Sequence, residues 1–302
     1  MPPSLEPPYN SGPALRACLK ERGLSIRKQW GQHFLINPSA RRAIVDALGA
    51  EEGGGVWEIG SGMGCMTGEL LQRGMEVTAF EVDPGLCSFL EELFSPYGER
   101  FRLIRGDVLK TWETLDDGSP YLLGNLPYTV AAPLLGNLIE GGRFFTRLAV
   151  TLQKEVARRA AASPGSGDYS SLSVLSASAY TVKVIMTLKG GSFYPPPHVE
   201  STALVFERRR DLAPPPPLFY PLARALFASR RKTVANNLER FLAGSCKFKA
   251  GTAGTAAALR DAMEAALDQS GIEGGERAER LSPEAFVSLA AALELYFEEN
   301  RE

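Results

Sequence analysis

A short polar turn has the groups needed to hold an exocyclic amine for chemical attack. It reads Asn-Leu-Pro-Tyr and follows the apolar residues 121–123. The side-chain carbonyl of Asn125 and the backbone carbonyl of Leu126 are two acceptors that can orient both N–H bonds of an amino group. Pro127 restricts the backbone, and Tyr128 offers a ring on which a base can stack. Because Asn-x-Pro also forms ordinary turns, the motif gains its weight from its surroundings.

A glycine-rich segment lies upstream of this turn. Residues 56–64 read Val-Trp-Glu-Ile-Gly-Ser-Gly-Met-Gly. The spacing is tighter than the Gly-x-Gly-x-x-Gly of dinucleotide sites, which bring a pyrophosphate to a helix N-terminus. It better suits a cofactor without phosphates, such as S-adenosylmethionine, whose amino-acid end could pass close to the backbone at Gly60 and Gly62. A glycine-rich turn without any ligand is the alternative.

The strands predicted after this loop also end in polar residues. Glu81 lies about 20 residues beyond the glycines, where an acid can accept hydrogen bonds from ribose hydroxyls. Asp107 ends the next apolar segment and can accept from an adenine amino group. Either acid could instead cap a helix. Ligands of open α/β sheets bind at the carboxyl ends of strands. The positions of Gly60, Glu81, Asp107 and Asn125 at four successive strand ends therefore favour one nucleoside-type ligand.

Five further segments carry a resemblance to a known family. They are Lys28–Asn37 (KQWGQHFLIN), Gln153–Ala157 (QKEVA), Gly167–Tyr169 (GDY), Ser192–Ser201 (SFYPPPHVES) and Arg230–Thr233 (RRKT). Together with the Asn-Leu-Pro-Tyr turn, and in the same order along the chain, they resemble the KsgA-type ribosomal RNA adenine dimethyltransferases almost end to end. Trp30, Asn37 and residues 129–130 depart from the more usual choices, but none of these removes a group that the mechanism needs.

The resemblance implies a role for each candidate residue. S-adenosylmethionine is the implied cofactor: the N-terminal segment and the glycine loop would hold its methionine end, Glu81 its ribose and Asp107 its adenine. The implied cofactor contacts are His33, Leu35, Gly60, Glu81, Asp107 and Asn125. A hydrogen-bonded structural imidazole is the alternative for His33.

The resemblance also assigns the substrate contacts. Asn125, Leu126, Pro127 and Tyr128 would form the catalytic turn, in which Asn125 holds the target N6 amine and Tyr128 stacks on its base. Phe193 would close the other face of this pocket, and a core aromatic residue beside a rigid polyproline loop is an equal alternative.

The implied chemistry needs no strong base. The methyl group of a sulfonium is already activated, so holding the amine in line supplies most of the catalysis. Acceptors at Asn125 and Leu126 favour the more positive nitrogen of the transition state. The proton can leave to water after the transfer.

Composition is typical of a cytoplasmic enzyme. The chain has 302 residues, of which 44% are hydrophobic, enough for one sizeable domain and a smaller one. It has no apolar run long enough to span a membrane and no secretory core near its N-terminus. The 4 cysteines lack paired metal-ligand spacing, so we predict no metal site and no disulfide framework. We expect a monomer.

The charge of the chain bears on its partner. The formal net charge of −2 is unusual for an RNA-binding protein, but phosphate binding depends on a local patch. The run Arg230, Arg231 and Lys232 matches a family segment, and we predict that it contacts RNA rather than forming only a solvated face.

The chain divides near residue 210. We expect a disordered Pro-rich extension at residues 1–13 and an α/β, Rossmann-like methyltransferase domain at 14–210. A smaller α-helical, RNA-binding domain is expected at 211–302, after a linker with four consecutive prolines. Helical spacing of apolar residues predicts helices at 219–227, 233–242, 256–268 and 283–296.

The expected reaction is the dimethylation of two adjacent adenosines in a 3′-terminal hairpin loop of small-subunit ribosomal RNA, in an assembling small subunit. One alternative is a resistance methyltransferase acting on large-subunit RNA, against which the Arg-Arg-Lys run and the long C-terminal domain argue. Another is a non-catalytic assembly factor or transcription-factor-like relative that keeps the fold, against which the intact catalytic turn argues.

Overall fold

The computed structural model describes residues 7–115, 117–127, 130–244 and 256–299. Its strands are β1 (Phe34–Leu35), β2 (Gly55–Ile59), β3 (Glu76–Glu81), β4 (Phe101–Arg105), β5 (Tyr121–Asn125), β6 (Arg147–Gln153), β7 (Tyr180–Leu188), β8 (Phe193–Tyr194) and β9 (Ser201–Arg208). Its α-helices are α1 (Gly12–Glu21), α2 (Pro38–Leu48), α3 (Cys65–Gln72), α4 (Pro84–Phe94), α5 (Val108–Thr111), α6 (Ala131–Glu140), α7 (Lys154–Ala160), α8 (Ser171–Ala179), α9 (Phe219–Phe227), α10 (Val234–Gly244), α11 (Ala256–Ser270) and α12 (Pro283–Glu299).

A seven-stranded sheet forms the framework of the site. Its strand order is β4-β3-β2-β5-β6-β9-β7. The first five strands are mutually parallel, and β9 runs antiparallel to β6. The chain order reverses between β2 and β5, which is the switch point where open α/β sheets bind ligands. The sheet confirms the predicted α/β fold.

Local sequence explains how these elements begin. The central strand β2 is buried along almost its whole length, as expected for a parallel strand covered on both faces. Asn37 caps α2 by accepting a hydrogen bond from Ala40, and Pro38 occupies the first helical position. Asp83 and Pro84 begin α4 in the same way. These caps fix the points at which the chain leaves the loops above the sheet.

The N-terminal residues differ from the expected disordered extension. Residues 1–6 lie outside the described part of the chain, but α1 already begins at Gly12. Tyr9 is buried, and its hydroxyl donates to the Met63 carbonyl at 3.0 Å. Asn10 accepts from the buried Arg41 guanidinium at 2.5 Å. The burial of the Tyr9 ring and these two hydrogen bonds hold this segment in place. Its proline content alone had predicted that it would be disordered.

The described residues form two compact units. The first lies within Met1–Ala157 and Thr181–Arg208, and the second within Arg158–Tyr180 and Arg209–Glu302. The predicted boundary was a single division near residue 210. In the structure, residues 158–180 also belong to the second unit. Tyr169 gives the physical reason, because it is fully buried, packs edge-on against Phe227 and donates to the Leu281 carbonyl at 3.0 Å.

The second unit is helical. Helix α9 has the predicted bounds, and α10, α11 and α12 begin within one residue of the predicted starts. Ser282 caps α12 by accepting from Ala285 at 3.2 Å. Phe286 is fully buried and stacks on Phe227 at 5.9 Å between ring centroids. None of the helices in the described ranges combines the length and apolar character needed to cross a membrane.

Candidate active site

A cavity of about 310 Å³ opens at the carboxyl ends of β2, β3, β4 and β5, within the first unit. Its lining includes every residue that we predicted to contact the cofactor: His33, Leu35, Gly60, Glu81, Asp107 and Asn125. These residues come from four strand ends and the N-terminal segment, and the parallel sheet brings them to one place. Pro127 of the predicted catalytic turn also lines the cavity.

The glycine loop brings bare backbone to the cavity. Gly60, Gly62 and Gly64 have φ angles of 73°, 57° and 80°, which other residues rarely adopt. A Cβ atom on Gly62 would lie 2.9 Å from the Phe34 ring, so a larger residue would displace the N-terminal segment. Ser61 of this loop is buried, and its hydroxyl interacts with Glu58 and lowers the pKa of that acid. The loop therefore fits a polar ligand that approaches the backbone closely.

Glu81 is tied to the same loop. One carboxylate oxygen accepts from the backbone N–H of Gly62 at 2.8 Å, and the other accepts from Val82 and Asp83, each at 2.9 Å. Burial raises the pKa of Glu81 above its ordinary value, and these three backbone hydrogen bonds oppose that rise. The acid predicted to hold the ribose is thus itself held by backbone.

A second acid, Glu58, lies beneath the loop in β2. It is 1% exposed, and Thr67 donates a hydrogen bond to one of its oxygens. The Ser61 hydroxyl also interacts with this carboxyl group. Burial raises the pKa of Glu58 to about 8, so the carboxyl group is mostly protonated at neutral pH. Glu58 is not one of the residues that the sequence predicted to contact the cofactor.

Asp107 takes both positions that the sequence allows, beside the cavity and at the start of a helix. It lines the cavity, and one of its oxygens also accepts from the Leu109 N–H at 3.0 Å as the cap of α5. A carboxylate has enough lone pairs to cap the helix and to accept from an adenine amino group. The helix cap therefore does not exclude the predicted adenine contact.

The catalytic turn follows the end of β5. Asn125 pairs in register with Thr151 of β6, and the Leu126 N–H donates to the Thr151 carbonyl at 3.2 Å. The side chain of Leu126 is buried, and the Pro127 carbonyl accepts from the first turn of α6. Leu126 and Pro127 are thereby fixed. Tyr128 lies outside the described residues, so its stacking role stays a prediction.

The N-terminal segment covers one side of the cavity. Residues 29–35 all line it, and they include Trp30 and Gln32, to which the sequence assigned no role. Gln32 donates to Asp83 at 3.0 Å, which ties the segment to the end of β3. The next residues form β1, which pairs with β8 through Phe34 and Leu35. Contacts between segments so distant in sequence leave no local signal.

Phe193 differs from its predicted place. It is 3% exposed, pairs with Leu35 across the short β1–β8 ladder and belongs to the hydrophobic core. It is not among the described residues that line the cavity. The core alternative therefore describes Phe193 in this structure, because its apolar ring is removed from water by the N-terminal segment.

A comparison with protein families decides what kind of site this is. The profile of the family described as "Ribosomal RNA adenine dimethylase" matches residues 23–290, which include all the cavity residues. The chain belongs to this family. Its members are S-adenosylmethionine-dependent enzymes, so this dimethylase modifies adenine in ribosomal RNA and uses S-adenosylmethionine as its cofactor.

Curated relatives match over nearly their whole length. A protein of Treponema pallidum is 40% identical over 95% of this chain and 98% of its own. A protein of Treponema denticola is 36% identical over 95% and 96%, and one of Shouchella clausii is 35% identical over 92% and 93%. All three are named "Ribosomal RNA small subunit methyltransferase A".

Solved structures share the fold of the dimethylase. A dimethyladenosine transferase from Plasmodium falciparum has a TM-score of 0.68 and 23% identity, covering 87% of this chain and 96% of that one. The 23S rRNA methyltransferase ErmE has a TM-score of 0.58 and 22% identity, covering 86% and 99%. These likenesses confirm the Rossmann-like methyltransferase fold.

The predicted RNA-binding run of the dimethylase, Arg230 to Lys232, lies in the second unit, and the contacts of its first residue differ from those of the other two. Arg230 donates to the Gly167 carbonyl at 2.9 Å and forms an ion pair with Glu279 at 3.0 Å. Arg231 and Lys232 are exposed. The Arg230 side chain is exposed as well, so all three cations reach solvent, and the Arg230 guanidinium in addition joins parts of the protein.

Two further cations lie near this run. Val234 donates to the Glu276 carbonyl at 2.8 Å, which brings the start of α10 next to the segment that contains Arg277 and Arg280. Both arginines are exposed. Sequence reasoning missed them because they lie more than forty positions away along the chain. We group them with Arg231 and Lys232 as exposed cations near the start of α10, where Glu276 and Glu279 lie in the same segment.

Proposed function

We propose that this dimethylase transfers methyl groups to N6 of two adjacent adenosines in a 3′-terminal hairpin loop of small-subunit ribosomal RNA. The proposed substrate is an assembling small subunit. The names of the relatives that match nearly the whole chain support the choice of subunit. The observation that carries the chemistry is the position of Asn125, which lines the same cavity as Gly60, Glu81 and Asp107.

The residues at the cofactor end would bind and orient. S-adenosylmethionine, when bound, supplies a methyl group that is already activated as a sulfonium. The bare backbone at Gly60 and Gly62 would accept its amino-acid end. Glu81 would hold the ribose and Asp107 the adenine. Each of these contacts orders the donor before the target arrives.

Asn125 would act on the target amine. Its side-chain oxygen, with the Leu126 carbonyl, would accept the N–H bonds of N6 and stabilise the positive charge that develops on the nitrogen. After one transfer N6 still has one N–H bond, so one of the two acceptors can hold it for the second transfer. The geometry of two carbonyl acceptors is therefore compatible with dimethylation.

The RNA would supply the rest of the specificity. An adenine must leave its stack to enter a cavity of this kind, and this is least costly in a loop. The exposed Arg231, Lys232, Arg277 and Arg280 would bind phosphates of the surrounding RNA. We propose that the protein acts as a monomer in the cytoplasm, where small subunits are assembled.

The test is a substrate comparison. Purified protein and S-adenosylmethionine are incubated with undermethylated small subunits, with large subunits and with free small-subunit RNA, and the digested nucleosides are identified by mass spectrometry. We expect N6,N6-dimethyladenosine at two adjacent positions of the small-subunit RNA, formed most efficiently on the subunit. Methylation confined to large-subunit RNA would favour a resistance enzyme, and none in any RNA despite cofactor binding would favour a non-catalytic relative.

A further inference from the structure

Three segments of the first unit meet at His33. Its backbone carbonyl accepts a hydrogen bond of 2.6 Å from the side-chain amide nitrogen of Asn125. Its ring nitrogen Nδ1 lies 2.7 Å from the carbonyl oxygen of Pro195. His33 thus joins the N-terminal segment to the end of β5 and to the loop that follows β8.

The hydrogen bond to Asn125 fixes which way the carboxamide faces. A carbonyl oxygen can only accept, so only the amide nitrogen of Asn125 can lie 2.6 Å from the His33 carbonyl. The flipped carboxamide would bring two oxygens to that distance. The nitrogen and oxygen of a carboxamide point in different directions, so holding the nitrogen also sets the direction of the oxygen.

The His33 side chain holds that carbonyl in place. Because the Pro195 carbonyl only accepts, Nδ1 carries the hydrogen of this bond. The two residues after His33 pair with β8, and Ile36 donates to Ser192 at 2.9 Å. On the other side, Gly31 lies next to Pro127, since a Cβ atom on Gly31 would be in van der Waals contact with it at 3.7 Å. The segment therefore has fixed neighbours on both sides of His33.

We propose that His33 is a positioning residue for Asn125. The hydrogen bond from the His33 ring to the Pro195 carbonyl holds the His33 backbone carbonyl in place. This backbone carbonyl accepts from the Asn125 amide nitrogen and so directs the Asn125 side-chain oxygen toward the target amine. This inference rests on the proposed role of Asn125 in methyl transfer. It differs from the cofactor contact that the family resemblance implies for His33, because a residue that acts through Asn125 affects turnover after the cofactor has bound.

The test compares two substitutions of His33. In His33→Asn the amide nitrogen occupies the place of Nδ1, three bonds from Cα, and can donate to Pro195. In His33→Ala the donor is lost. With saturating S-adenosylmethionine and the ribosomal RNA that the wild type methylates, we expect kcat to fall about 5–10-fold in His33→Ala, the scale for one lost hydrogen bond. His33→Asn should restore most of it.

Two further measurements separate positioning from other roles. The dissociation constant for S-adenosylmethionine should change by less than about twofold in both variants, and their melting temperatures report whether the fold is kept. A weakened cofactor affinity in His33→Ala with unchanged kcat would overturn the proposal in favour of a methionine contact. An Asn variant as slow as the Ala variant would overturn it as well.

A readout without RNA keeps this proposal separate from the proposed function. In wild type and His33→Asn, NMR should show the Asn125 side-chain amide protons, assigned with an Asn125→Asp variant, to exchange slowly with solvent. They should exchange faster in His33→Ala. Equal exchange in all three proteins would overturn the positioning role. If the wild type methylates no RNA while this exchange pattern is found, the proposed function fails and the tie between His33 and Asn125 stands.

Discussion

Glu81 and Gly62 are joined by a hydrogen bond of 2.8 Å from the backbone N–H of the glycine to the carboxylate. The bond links the end of β3 to the loop that follows β2, two elements that would hold different parts of the cofactor. Because Glu81 also accepts from Val82 and Asp83, one buried carboxylate organises three backbone N–H groups. The acid therefore shapes the site before any ligand is bound.

Glu81→Ala should weaken S-adenosylmethionine binding by about 1.5–3 kcal/mol, the scale for hydrogen bonds to a charged group. It should also lower the melting temperature, since two buried N–H groups and one partly buried N–H group lose their acceptor. Calorimetric titration and thermal unfolding measure the two effects. Glu76→Ala, at the exposed start of the same strand, is the matched control. An unchanged cofactor affinity would remove Glu81 from the ribose role.

Asn125→Ala should keep most of the S-adenosylmethionine affinity but lower methyl transfer by roughly 100-fold or more, as expected for the loss of a transition-state contact. Asn125→Asp keeps an oxygen acceptor but sets a second oxygen against the His33 carbonyl, so it should also be slow. Turnover is followed with radiolabelled cofactor. Wild-type turnover in Asn125→Ala would refute the proposed mechanism.

The cavity could be predicted from the sequence because its parts lie at strand ends. Parallel strands bring their carboxyl ends to one edge of the sheet, so the spacing of Gly60, Glu81, Asp107 and Asn125 already implied one site. The bounds of α9 followed from helical periodicity.

Other features depend on partners that are remote in sequence. Nothing near Arg230 indicates its ion pair with Glu279, and nothing near Phe193 indicates that Leu35 lies opposite it. The grouping of residues 158–180 with the C-terminal helices depends on Tyr169 in the same way. Such side-chain roles are settled by tertiary packing, which a local pattern does not encode.

The basic run of the second unit gives a charge prediction. Changing Arg231 and Lys232 to Glu should weaken RNA binding and lower the magnitude of its salt slope by about 1.4–1.8, since each phosphate contact contributes about 0.7–0.9. Arg230→Ala should leave the salt slope unchanged and lower the melting temperature, because this guanidinium is bound to Glu279 and Gly167. Filter-binding titrations at several salt concentrations measure the slopes.

The control for this prediction comes from the same basic run, in which Arg230 is compared with Arg231 and Lys232. If Arg230→Ala lowers the salt slope as much as a change at Arg231, its guanidinium contacts phosphate despite the ion pair. If the double Glu variant changes neither RNA affinity nor slope, Arg231 and Lys232 form only a solvated face. Cofactor affinity should be unchanged in every variant, because the cavity lies within the first unit.

Glu58 makes the stability of the protein depend on pH. Its pKa is about 8 in the folded protein against an ordinary value of 4.5, because burial disfavours the charged form. The folded state therefore holds the proton more tightly than the unfolded state does. The stability that protonated Glu58 contributes is fully present below about pH 4.5 and is lost as the pH rises through about 8.

Glu58→Gln replaces the protonated acid by a neutral group of the same shape, which does not titrate. The melting temperature of the variant minus that of the wild type should therefore increase as the pH rises from 5 to 8.5, with its lowest value at pH 5. Glu81 is present in both proteins, so its own titration largely cancels in the difference. Thermal unfolding of wild type, Glu58→Gln and the exposed control Glu92→Gln at each pH measures this dependence. A difference that stays constant with pH, as expected for Glu92→Gln, would show that Glu58 is already ionised in the folded protein.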